Sequence, residues 1–251
     1  MEKKFTSNRD FYDTVSGYYD SMINSRQAIK NKSLSFKKLI LPGMHYAADI
    51  GCGSGNDSIA LAMNGLEVTG FDNSEKMILK AKENASKYKS DISFHQYPAD
   101  KIPAVYNNKF DLILSLGNTI ANIEGKKLYG SIKRIYDILK KDGIFILQIL
   151  NYRIKKKENR KIIKITKNKT DYYIRFCDFE KLKFNFNILK FKIKNTDEYE
   201  LLTSAIYPYD KKQLSQTLKK AGFGRLKYFS NFNKDAFLQH NSTDLIIEVK
   251  K

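Results

Sequence analysis

The sequence predicts an α/β fold, a doubly wound and mostly parallel sheet carrying an antiparallel β insert. Three observations support this. A strand, a glycine turn and a helix follow one another between residues 46 and 64. Strand-like and helix-like runs then alternate up to residue 150. Between residues 161 and 207 the apolar period changes to two, which is the signature of a half-buried antiparallel sheet.

The chain of 251 residues suits one elaborated α/β domain, and its 42% of hydrophobic residues can fill a sizeable core. No run approaches the roughly 20 apolar residues of a membrane helix. The stretch Met1–Asp10 lacks the apolar core of a signal peptide. Cys52 and Cys177 make no disulfide framework, so a cytoplasmic location is expected, with no membrane partner. His45, His95 and His240 are scattered, and no metal-ligand spacing results. The net charge of +18 leaves two readings open, an anionic macromolecular partner or lysines spread over solvated faces. In the 161–207 segment the lysines alternate with apolar residues, as on the wet face of a sheet.

The elements follow in order. The tyrosine-rich stretch Phe11–Met22 suits either a lid over a ligand or a helix packed on the domain. Ser33–Leu41 has helical spacing and stops at Pro42-Gly43. Tyr46–Ile50 is the first strand of the sheet, and Ser58–Asn64 belongs to a helix closed by Gly65. Glu67–Asp72 is the second strand. Ser74–Tyr88 is a helix with Met77, Ile78, Ala81 and Ala85 on one face. Ile92–Tyr97 and Phe110–Leu116 are the third and fourth strands, the latter apolar enough for burial on both faces. Lys126–Leu139 is an amphipathic helix, Asp142-Gly143 a turn, and Ile144–Leu150 the fifth strand.

The insert reads as three or four strands, over Ile163–Thr166, Tyr173–Phe176 and Leu182–Ile188 continuing through Phe191–Lys194. Turns fall at Asn168–Asp171 and Asn195–Asp197. Asp210–Ala221 is a helix capped by Gly222. Phe223–Phe229 and Asp244–Val249 would close the sheet as an antiparallel pair.

The turn Asp49-Ile50-Gly51-Cys52-Gly53-Ser54-Gly55 departs from both phosphate-binding patterns. Its third glycine comes one residue early for G-x-G-x-x-G, where Asn56 stands, and the lysine of a P-loop is missing. An acid just before the turn would repel a pyrophosphate and accept hydrogen bonds from an ammonium group. A cationic nucleoside fits better than a phosphorylated one.

These residues resemble the first motif of the class I S-adenosylmethionine-dependent methyltransferases, an acid followed by G-x-G-x-G. The likeness spans essentially the whole chain. It implies a Rossmann-like seven-stranded sheet in the order 3-2-1-4-5-7-6. It further implies S-adenosylmethionine as cofactor, S-adenosylhomocysteine as product and methyl transfer as the activity. By the same resemblance the implied cofactor-binding residues are Tyr12, Tyr19, Asp49, Gly51, Cys52, Gly53, Asp72, Asn73, Met77, Ala99, Asp100, Leu116 and Gly117. Asp72 would hold the ribose hydroxyls and Ala99-Asp100 would lie near the adenine.

Leu116-Gly117-Asn118-Thr119, Asn151-Tyr152 and Tyr207-Pro208-Tyr209 are similar to segments of the glycine and sarcosine N-methyltransferases and their small-molecule relatives. That branch implies a small amine acceptor, positioned by Asn118, Tyr18 and Tyr207, with Asn151 nearby. It also carries an arginine before its N-Y pair, to hold a substrate carboxylate. Leu150 stands at that position, which makes glycine itself a doubtful substrate, and Arg175 on the insert is a substitute to test. The implied divisions are residues 1–150 for the N-terminal helices and cofactor core, 151–207 for the acceptor-side insert, and 208–251 for the last helix and closing strands. Two rivals remain open: an RNA or other macromolecular acceptor drawn by the positive charge, and a binding protein without turnover.

Overall fold

The computed structural model describes residues 4–5, 7–157, 161–179 and 183–251. The chain begins with β1 (Lys4–Phe5), α1 (Asn8–Val15), α2 (Tyr19–Ile23) and α3 (Ser25–Phe36). The nucleus of the fold follows as β2 (Tyr46–Ile50), α4 (Asn56–Ala62), β3 (Glu67–Asp72), α5 (Glu75–Lys87) and β4 (Ile92–Gln96). Next come β5 (Phe110–Ser115), α6 (Gly125–Ile138), β6 (Leu139–Leu150) and α7 (Tyr152–Lys157). The insert consists of β7 (Ile162–Lys167), β8 (Asp171–Phe179), β9 (Phe184–Lys192) and β10 (Tyr199–Ile206). The chain closes with α8 (Lys211–Ala221), β11 (Leu226–Phe229) and β12 (Asp244–Lys250).

The main sheet has seven strands in the order β4-β3-β2-β5-β6-β12-β11, which is 3-2-1-4-5-7-6 when its own strands are counted. The first five are parallel, β12 runs antiparallel to β6, and β11 at the edge runs antiparallel to β12. Both faces are covered. Ile50, Ile113, Phe145 and Ile247 pack against α6 and α8, while Ala47, Val68, Leu114 and Ile146 pack with Phe36 of α3 and Leu61 of α4. This two-sided burial explains why β2 and β5 are continuous apolar runs without alternation. No helix of the described residues is long and apolar enough to cross a membrane.

The insert forms a second sheet in the order β1-β10-β9-β8-β7, with β1 adding a short parallel strand to β10. Its inner face buries Tyr173, Ile188 and Leu202 against Phe11, Val15 and Met22 of the N-terminal helices. The N-terminus and the insert are thus one packed unit above the main sheet.

Several expectations shift. The N-terminal tyrosine stretch is helical. The helix expected over Ser33–Leu41 instead spans Ser25–Phe36, starting after Asn24 in the left-handed region at φ 53°. Residues 37–39 then turn, where only Leu39 is buried. Asp142-Gly143 does not end an element. It is looped out within β6, where pairing with β5 jumps from Phe110↔Leu139 to Leu112↔Ile144. The helix α7 and the strands β1 and β10 add to the expected set, and the expected strand start at Leu182 lies outside the described residues.

Candidate active site

The cleft opens at the C-terminal ends of β2, β3 and β5, where β2 and β5 are neighbours and the chain's connections diverge to opposite sides. Open α/β sheets place their ligands at such a point. Its volume is about 560 Å³, within the range that suits a nucleoside-sized molecule. A second cavity of about 550 Å³ beside Asn151 and Lys211 contains no part of the glycine turn.

The floor is the glycine turn. Gly51 N–H and Cys52 N–H both donate to the Phe71 carbonyl, at 2.7 and 3.0 Å, and pin the turn to the end of β3. Gly51 has φ +73°, and a Cβ there would lie 2.2 Å from Thr119 Cγ2, so no other residue fits. Gly53, at φ +53°, has nothing within 4 Å of where a Cβ would stand, because that space is the cleft.

Asp72 ends β3 beside this turn. Its Oδ2 accepts from Gly53 N–H at 2.8 Å and its Oδ1 from Ser74 N–H at 2.9 Å. Burial pushes the carboxyl above its ordinary range, and the backbone N–H groups pull it back. Each oxygen keeps a lone pair free for a further donor. Asn73 and Met77 continue this wall, Ala99 and Asp100 face it, and Leu116, Gly117 and Thr119 bound the far end. Tyr12, Tyr19, Ser204 and Tyr207 form the roof.

Of the thirteen residues implied for the cofactor, twelve therefore share this cleft. Asp49 does not line it. It is buried behind the turn, 1% exposed, and accepts from Ser58 Oγ at 2.7 Å. Burial, reinforced by the nearby Asp57 carboxylate, pushes it up to about 7.

Of the acceptor candidates, Tyr207 lines the roof, and its N–H donates to the Ala121 carbonyl at 2.7 Å. Asn118 and Tyr18 stand outside the wall. The Asn118 amide donates to Tyr152 Oη at 2.5 Å and accepts from Leu150 N–H at 3.1 Å, so its side chain braces the loop after β5 against α7. Tyr18 stacks on Tyr173 at 5.5 Å, under Lys190. Asn151 donates to the carbonyls of Gln239 and Ser242 and so fixes the loop before β12. His95 stacks on Phe71 at 5.9 Å, outside the cleft wall.

Lining groups that were not foreseen include Lys32, Asn122 and Asp57. Lys32 of α3 enters the cleft and pairs with Asp57 at 2.5 Å. Asn122 accepts from Asn8 at 2.9 Å and donates to Tyr12 Oη at 3.5 Å, tying α1 to the loop after β5. Asp57, two residues past the last glycine and in the first turn of α4, was readable as a helix-start acid. Lys32 lies among lysines that look alike in sequence.

A seven-stranded sheet of this order, with a glycine turn and a strand-end acid at its switch point, defines a nucleoside-binding α/β enzyme of the methyltransferase type. The family described as "Methyltransferase domain" matches residues 44–222. The chain belongs to that family and is a class I S-adenosylmethionine-dependent methyltransferase. It is 28% identical over 242 residues to a carboxy-S-adenosyl-L-methionine synthase of Nautilia profundicola, covering 94% of each chain. It is 24% identical to a glycine/sarcosine N-methyltransferase of Aphanothece halophytica, covering 93% of this chain and 86% of the relative. In structure it is similar to the CcbJ methyltransferase of Streptomyces caelestis, with a TM-score of 0.80 at 15% identity over 96% of this chain and 97% of that one.

Proposed function

We propose that the enzyme methylates the nitrogen of a small amine, with the cofactor held in the cleft between Asp72 and the glycine turn. The supporting observation is the convergence of Gly51, Gly53, Asp72, Asp100 and Gly117 on one cavity roofed by tyrosines. The residues fit the cofactor. Asp72 is anchored by two backbone donors with acceptor capacity left over, which suits two ribose hydroxyls. Gly53 leaves open the space that a nucleoside would fill. Lys32, paired with Asp57, puts a cation on the cleft wall for a carboxylate.

When bound, S-adenosylmethionine supplies an electrophilic methyl group on a sulfonium. The protein's part is alignment, which can lower the barrier by roughly 7–11 kcal/mol. The cleft residues would hold a neutral acceptor nitrogen with its lone pair towards that methyl group, and the proton displaced from nitrogen would pass to solvent. Tyr12 and Tyr19 are raised by burial and stay neutral, so they can orient the reactants through hydrogen bonds without adding charge. The roof excludes water and strengthens these dipoles.

The relative named for glycine and sarcosine supports an amine acceptor, and the relative named for carboxy-S-adenosylmethionine makes the fate of the cofactor part of the test. Incubation with methyl-labelled cofactor and a metabolite extract is expected to move label into a small basic product. Asp72→Ala is expected to weaken S-adenosylhomocysteine binding by about 100-fold or more, as loss of two charge-assisted bonds implies. Unchanged calorimetric affinity in that variant would overturn the site assignment.

A further inference from the structure

Arg175 lies at the middle of β8, on the same face as Tyr173 and Cys177 two residues to either side. Tyr173 is buried in the seam between the insert and the N-terminal helices. Cys177 is buried in a second seam with Ala121 and Tyr152, below the insert. Arg175 stands between these two seams, opposite Ile188 and, one strand further, Leu202. The next row on this face is Cys177, Phe186 and Ser204, and Ser204 lines the cleft. This face therefore reaches the active-site cleft at Ser204, and Arg175 stands just behind the cleft wall, beside Tyr12 and Tyr19.

The guanidinium has no counter-charge. Among the described residues no carboxylate pairs with Arg175, and its buried Nε has no hydrogen-bond partner. Ser204 Oγ is likewise buried without a partner. Arg134 shows the ordinary condition in this chain: its Nε, Nη1 and Nη2 donate at 2.6, 2.6 and 2.7 Å to Ile102, Asn107 and Pro103. The guanidinium is half-buried, and burying its Nε–H and the Ser204 hydroxyl without partners is costly. The cost is offset when a ligand supplies the missing acceptors. The ionisable groups beside Arg175 are Tyr19 and Tyr12, phenols that stay neutral and are themselves cleft residues.

We propose that Arg175, assisted by Ser204, anchors a carboxylate in the acceptor half of the cleft, so that the substrate class is a small amine bearing a carboxylate. This rests on the methyltransferase reading of the cleft. The planar fork of arginine meets both oxygens of a carboxylate at once, which fixes the orientation of the amine as well as its presence.

The test uses the full chain, with and without S-adenosylhomocysteine, titrated with acetate and with the isosteric neutral acetamide. Acetate is expected to shift the Arg175 Nε–H resonance and to bind about tenfold or more tightly than acetamide. Arg175→Gln is expected to erase that preference and Arg175→Lys to restore part of it, while S-adenosylhomocysteine affinity stays within about twofold. Equal response to the two probes, or a preference that survives in Arg175→Gln, would overturn the proposal. In turnover, a lower KM for α-amino acids than for their amides, lost in Arg175→Gln, places the carboxylate on the acceptor. Discrimination seen only towards a carboxylated sulfonium donor, with acids and amides equal, would count against it. Failure of S-adenosylhomocysteine to bind the wild type would strike the cofactor reading alone, since the acetate titration is also made without it.

Discussion

Alanine at Gly51 would combine a positive φ with a Cβ 2.2 Å from Thr119 Cγ2. The left-handed conformation alone costs roughly 1–2 kcal/mol for a residue with a side chain. Gly51→Ala is therefore expected to lose about 2 kcal/mol or more in urea unfolding and to weaken S-adenosylhomocysteine binding. Thr119→Ala, which removes Cγ2 and Oγ1, should recover part of that loss, and a double-mutant cycle will read the coupling. Asp49 makes a second prediction at this scale. Its folded value near 7 lies above that of an unfolded aspartate, so the folded chain holds the proton more tightly. Its contribution is fully present below the unfolded value, about pH 4, and is lost as pH rises through about 7. Urea unfolding at about pH 5 and pH 8 should show a stability decline in the wild type that Asp49→Asn lacks.

At the scale of elements, the roof is latched to the core through α1. Asp13 Oδ1 accepts from Ser74 Oγ at 2.5 Å and from Lys76 N–H at 3.2 Å, joining α1 to the start of α5. Asn84 donates to Asp20 at 2.8 Å, and Thr166 Oγ1 donates to the Met22 carbonyl at 2.9 Å, so α2 is tied to both α5 and the insert. Asp13→Ala removes the first latch while Ser74 still caps α5 through its bond from Met77 N–H. The expected result is an S-adenosylhomocysteine dissociation rate about tenfold faster in stopped flow, with little change in association. The sequence left this stretch open between lid and packing. Phe11 and Val15 are fully buried while Tyr12 and Tyr19 line the cleft, so one short segment does both.

The whole molecule carries +18, and many of its lysines are engaged locally. Lys140 pairs with Asp111, Lys227 and Lys234 share Glu248, and Lys211 and Lys220 lie over tyrosine rings. A small acceptor in a roofed cleft predicts methyl transfer that changes less than about twofold between 50 and 200 mM salt. A nucleic-acid acceptor would lose roughly 10³–10⁵ in affinity over that range.

Most of the main sheet was legible because its determinants are local. Continuous apolar runs specify buried strands, Ser74 and Gly222 mark helix ends, and the spacing from Asp49 to Asp72 encodes one βα unit and the start of the next. Nine of the twelve cofactor candidates met in one cleft because they follow strand ends, and strand ends on one edge of a parallel sheet must converge, while Tyr12, Tyr19 and Met77 reach it from helices. Other features depended on partners distant in sequence. Asn118 was read as an acceptor contact, yet its amide is taken by Tyr152, 34 residues away. Lys32 became a cleft residue only because α3 packs beside α4, and Arg175 became a lone charge only because the insert folds back over α1 and α2. The sequence by itself determined the fold class, the glycine turn and the strand-end acids, since periodicity and glycine stereochemistry act over a few residues. The tertiary structure alone decided which side chains face the cleft, since burial and charge pairing depend on what the rest of the chain leaves beside them.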